Sequence, residues 1–68
     1  MSRITLKTTG YRVMGYIDVK PNGDKVAMTV GYRVLGYYRA REDVTLDVGY
    51  RVVARGDVLA CLVQEAFK

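Results

Sequence analysis

The chain has 68 residues, a length at which one domain is the ceiling and a single core is barely sufficient. Eleven Lys and Arg against seven Asp and Glu give a net charge of +4. One cysteine, Cys61, and no histidine exclude an intrachain disulfide and the usual Cys/His zinc site, so self-association, a homodimer first of all, is the expected staple. Residues 1–68 are expected to form a single domain.

Taken in order, the chain opens on Arg3-Ile4-Thr5-Leu6-Lys7, in which Ile4 and Leu6 alternate with polar neighbours. This predicts a first strand over about 3–8. There is no apolar run here of signal-peptide length, and nowhere one approaching the roughly 20 residues of a membrane span. A cytoplasmic location is therefore expected.

Gly10-Tyr11-Arg12-Val13-Met14-Gly15-Tyr16 is then answered by Gly31-Tyr32-Arg33-Val34-Leu35-Gly36-Tyr37, and by a shorter copy, Gly49-Tyr50-Arg51-Val52-Val53. Unequal spacing between the copies rules out a solenoid of fixed period and fits antiparallel strands with unequal loops. Period-two alternation predicts strands over about 10–20, 25–40 and 44–55, with Val26, Met28, Tyr32, Val34, Leu46, Tyr50 and Val52 facing inward. Thr8-Thr9-Gly10, Pro21-Asn22-Gly23-Asp24 and Arg41-Glu42-Asp43 read as turns. Gly56-Asp57 ends the sheet, and Asp57 caps a helix over about 57–67 whose Leu59, Leu62, Val63, Ala66 and Phe67 recur at helical spacing. The fold expected is mainly β (α+β): a strongly bent four-stranded antiparallel meander followed by one C-terminal helix.

Counting back from the loops of these long strands puts Arg12 opposite Arg33, Arg33 opposite Arg51, and Lys7 opposite Arg12. Like charges directly opposite are destabilising, so a row of cations on the face away from the helix points to a polyanion. Arg39 and Arg55 add to that face, with Tyr16 and Tyr37 offering rings for bases to stack on. On the same count Met14 and Leu35 point outward over glycine gaps, while Gly15 and Gly36 lie inside and permit bending. A long third strand exceeds what one short helix can cover, which again suggests a second chain.

Catalysis is not expected. No histidine is present to serve as a general base, and the carboxylates fall in turns, caps and exposed positions. Cys61 reads as a small buried or half-buried helix residue. No cofactor or metal is implied. The element order of four strands and a helix is similar to the half-repeat of Whirly and PUR-type single-stranded nucleic-acid binders, which build dimeric or pseudo-dimeric curved sheets. That likeness is one of element order, without a shared motif.

The expected function is thus a small dimeric DNA- or RNA-binding protein with little sequence preference, using Lys7, Arg12, Arg33, Arg39, Arg51, Arg55, Tyr16 and Tyr37. An interaction module or inhibitor docking its basic face on an acidic partner is the alternative, and a structural assembly subunit a further one.

Overall fold

The computed structural model describes residues 2–67. Among them six antiparallel strands form one open sheet in chain order: β1 (Ser2–Lys7), β2 (Val13–Val19), β3 (Lys25–Thr29), β4 (Val34–Arg39), β5 (Val44–Asp47) and β6 (Val52–Arg55). A single helix, α1 (Leu59–Phe67), follows. The expected four strands become six because each of the long stretches 25–40 and 44–55 folds back on itself at its own Gly-Tyr-Arg. The element-order likeness to Whirly and PUR-type proteins falls with that count.

Both β1–β2 and the two further hairpins carry a bulge just after the turn. Val13 faces Lys7 while Gly15 faces Leu6, leaving Met14 as the extra residue. Leu35 and Val53 are extra in the same way. Such an insertion reverses the parity of everything after it. Val26, Met28 and Val34 therefore lie on one face with Tyr37, while Gly36 and Tyr38 lie on the other with Ala27. Met14 and Leu35, expected to point away from the helix, instead pack with Leu6, Tyr38 and Leu62 against Ile17, Ala27, Leu59 and Val63.

The helix starts as expected, with Asp57 Oδ1 accepting the Leu59 N–H at 3.1 Å, and Asp57 also holds Lys25 Nζ at 2.6 Å. It runs along β2, β3 and β4 toward the opposite end of the sheet, where Arg12 lies 5.8 Å from the Phe67 ring. Only Leu59 and Val63 are fully sunk into the sheet, and Cys61 is exposed, because it lies off the stripe that they define. Nine residues at about 1.5 Å each cover the three central strands, which are themselves only five to seven residues long. The size mismatch behind the expected dimer rested on a strand that the fold divides in two.

Thr45, expected to point into solvent, is fully buried on the helix side. Its hydroxyl donates to the Gly56 carbonyl at 2.6 Å and accepts the Val58 N–H at 3.1 Å, fastening the sheet-to-helix connection. Thr45→Val keeps the shape but orphans both backbone groups. We expect it to cost about 1–3 kcal/mol in urea unfolding, with Thr45→Ser recovering the hydrogen-bond part of that loss.

The face away from the helix has a core of its own. Met28 pairs with Tyr16, and Leu46 with Tyr37, and both aliphatic side chains are buried there. Leu46 was expected inside, and it is, but on the side of the sheet without the helix.

Candidate nucleic-acid interface

The turn chemistry explains why the repeated word bends the chain. In the first turn Tyr11 N–H donates to Thr8 O at 2.9 Å and Thr8 N–H to Arg12 O at 2.8 Å. The third and fifth turns repeat this: Tyr32 to Thr29 O at 2.9 Å and Thr29 to Arg33 O at 2.9 Å; Tyr50 to Asp47 O at 3.0 Å and Asp47 to Arg51 O at 2.9 Å. These are three-residue hairpin loops whose last residue lies in the left-handed region. The tyrosines occupy it, with φ of 63°, 66° and 63°.

A short polar side chain at the head of each turn braces this conformation. Thr8 Oγ1 accepts the Gly10 and Arg12 N–H groups, both at 3.2 Å, and Thr29 Oγ1 accepts that of Arg33 at 3.1 Å. Asp47 Oδ1 accepts those of Gly49 at 2.8 Å and Arg51 at 3.0 Å. Asp47 is thus engaged with backbone. The signal overlooked in the sequence is the Thr or Asp two positions before each Gly-Tyr-Arg, a side chain that competes for backbone N–H groups and so favours turns.

In a meander, alternate turns fall at the same end. Arg12, Arg33 and Arg51 are thereby gathered at one end of the sheet, all exposed. They are not opposite one another as the long strands implied: Lys7 faces Val13, and successive arginines are separated by two strand spacings, about 10 Å. The row of like charges is relaxed by that spacing. Lys7 and Arg55 sit on the edge strands β1 and β6, both exposed. Arg39 lies at the other end of β4, 3.4 Å from Glu42.

The tyrosines exchange the roles expected of them. Tyr16 and Tyr37 are half-buried, each covered by a turn tyrosine from the next hairpin. Tyr32 stacks on Tyr16 at 5.3 Å between centroids and 9° between planes, and Tyr50 on Tyr37 at 5.0 Å and 8°. Arg3 lies 5.2 Å from the Tyr16 ring and 5.4 Å from that of Tyr32, with its guanidinium tied to Asp18 at 2.7 Å. That hydrogen bond, ahead of the attraction between the charges, holds the Asp18 carboxyl below the usual carboxylate range. A hydrogen bond shared with Tyr50, reinforced by partial desolvation, raises the Tyr37 hydroxyl above the usual tyrosine range. The exposed rings are Tyr11 (84%), Tyr32 (57%) and Tyr50 (61%), and each is followed at once by an exposed arginine.

The left-handed conformation costs an L-residue about 1–2 kcal/mol, which a glycine would not incur. Tyr32 and Tyr50 offset this with rings stacked on Tyr16 and Tyr37, worth about 0.5–1.5 kcal/mol each. Tyr11, at the sheet edge, has no strand beyond β1 to cover. Tyr11→Gly is therefore expected to raise stability by about 0.5 kcal/mol in chemical denaturation, and Tyr32→Gly to lower it. Stabilisation by both substitutions would contradict the lid role of Tyr32.

No helix among the described residues is long and apolar enough to cross a membrane. The chain matches no protein-family model, no curated protein and no solved structure.

Proposed function

We propose that this chain binds single-stranded nucleic acid, with little sequence preference, across the end of the sheet formed by its three tyrosine turns. One observation carries the reading: in Tyr11-Arg12, Tyr32-Arg33 and Tyr50-Arg51 an exposed tyrosine is followed by an exposed arginine, three times over, at one end of the sheet. Arginine suits phosphate because its planar fork matches the anion's oxygens. An exposed tyrosine face accepts any base, since every base has a π-face. The backbone hydrogen bonds of each turn fix the loop from which ring and cation project, so the backbone needs little ordering on binding.

Within this reading Lys7, opposite Val13, flanks the path on edge strand β1, whereas Arg55, opposite Val44, lies at the far end of the sheet, outside that path. Tyr16 and Tyr37 support the turn tyrosines from beneath instead of meeting bases themselves. A labelled oligothymidylate is expected to bind at low ionic strength and to be released as salt rises, because each phosphate contact displaces counterions. Absence of any anisotropy change at about 20 mM salt would end the proposal.

A second reading, docking on an acidic protein, draws on the β6 edge. There Val52 and Val53 are exposed beside Arg51 and Arg55, a pattern suited to an added strand carrying carboxylates. Binding to such a partner that survives Arg12→Glu but not Arg55→Glu would favour it.

A further inference from the structure

The same outer face carries a cleft at the end away from the tyrosine turns. It is half open to solvent and measures about 830 Å³. Turns 20–24 and 40–43 form its walls, and the Tyr37 and Tyr50 rings reach into it from the middle of the sheet.

Its charges are unevenly committed. Asp24 Oδ1 accepts the Ala40 N–H at 3.0 Å, and Asp24 Oδ2 accepts from Asn22 at 3.3 Å. Glu42 is engaged by Arg39, and Lys25 by Asp57. Lys20 and Arg41 also line the cleft and have no carboxylate partner among the described residues. The opening thus offers two uncommitted cations together with a stacked aromatic pair whose outer ring, Tyr50, is exposed.

We propose that this cleft holds one nucleoside phosphate unit, its base stacked on Tyr50 and its phosphate between Lys20 and Arg41. The inference rests on the nucleic-acid reading and deepens it. Tyr50 belongs both to the fifth turn and to the cleft, so a strand crossing the tyrosine turns is led over β4 and β5 into the cleft. Ring and phosphate are both required for tight seating: aromatic stacking holds the base, and the cations hold a charge that adenosine lacks. A free mononucleotide and a nucleotide within a strand share that chemistry.

The test is an amide-resonance titration of the full chain with adenosine 5′-monophosphate, adenosine and inorganic phosphate in turn, alongside oligothymidylate binding. The expected result is saturable movement of the Lys20, Arg41 and Tyr50 signals with the monophosphate, at least tenfold tighter than with either adenosine or phosphate. Lys20→Glu/Arg41→Glu should weaken the monophosphate at least tenfold. Lys20→Gln/Arg41→Gln, which adds no negative charge, should do so by a smaller factor, and both spectra report whether the fold is kept. Arg12→Glu/Arg33→Glu/Arg51→Glu should leave the monophosphate within twofold while weakening the oligonucleotide.

Monophosphate shifts that bypass the cleft, that persist unchanged in a folded Lys20/Arg41 variant, or that phosphate alone reproduces at equal affinity would overturn the assignment. Failure of the oligonucleotide to bind while the monophosphate titrates the cleft would sink the strand reading and leave the cleft standing. Oligonucleotide binding with a silent cleft would do the reverse.

Discussion

Gly36→Ala is expected to remove about 3 kcal/mol of stability, enough to unfold much of a domain of this size. A Cβ at Gly36 would stand 2.5 Å from the Leu46 carbonyl oxygen and 2.7 Å from Leu62 Cδ1. The Leu46 oxygen is backbone of the adjoining strand, so no rotamer change relieves that clash, and the Leu62 methyl must also move aside in the helix above. Gly15 is in the same position between the Met28 carbonyl and the Val63 side chain, 2.9 Å away. The pair of glycines lets α1 lie directly on β2 and β4. Gly31→Ala supplies the control, because its Cβ would meet nothing closer than Thr29 Oγ1 at 3.8 Å. Urea unfolding should place Gly31→Ala within about 0.5 kcal/mol of the parent, as for an ordinary surface site. Equal losses at 31 and 36 would mean that the helix contact is not what the glycine serves.

The second large effect concerns binding. Arg12→Glu/Arg33→Glu/Arg51→Glu replaces three phosphate contacts with three repulsions and is expected to weaken oligonucleotide binding by about a hundredfold or more at low salt. Stability should barely move, since all three side chains are exposed and the turns are held through backbone atoms. Arg39→Glu, at the other end of β4 and already beside Glu42, should change affinity far less. A comparable loss from Arg39→Glu would shift the path from the tyrosine turns to the opposite end.

Much of the architecture is legible in the residues. Alternation identified strands, Asn22-Gly23 and Glu42-Asp43 marked their turns, and Asp57 marked the helix start; the structure has turns at both places, with Gly23 and Asp43 at positive φ, and Asp57 at the cap. The count of strands was hidden because Val30-Gly31-Tyr32 and Val48-Gly49-Tyr50 look like strand residues: apolar, aromatic and in step with the alternation on either side. A bulky aromatic in the left-handed region runs against expectation, and only the preceding Thr29 and Asp47, whose oxygens bind the turn amides, betray the bend.

The bulges compounded this. The bulges carried Met14 and Leu35 from solvent to the helix side, and the fourth turn, expected over 41–43, takes a residue more, with Arg39 facing Val44, which carried Thr45 from solvent to core. Of the site, the three arginines come to one end of the sheet by a different route from the one counted out. The exposed rings are those of the turn tyrosines and not Tyr16 and Tyr37, because residues that look like core from their spacing are held outward by the turns. The cleft around Lys20 and Arg41 had no sequence signal, being assembled from two turns and a ring supplied by a third.

The salt dependence of oligothymidylate binding, compared between the parent chain and Arg12→Glu/Arg33→Glu/Arg51→Glu, tests the central claim most directly. On a plot of log affinity against log salt, single-stranded contacts contribute a slope of about −0.7 each, so the parent should be steeper by about 2 than the variant. Parallel lines would show that the arginines brought together by the three tyrosine turns do not meet the phosphates.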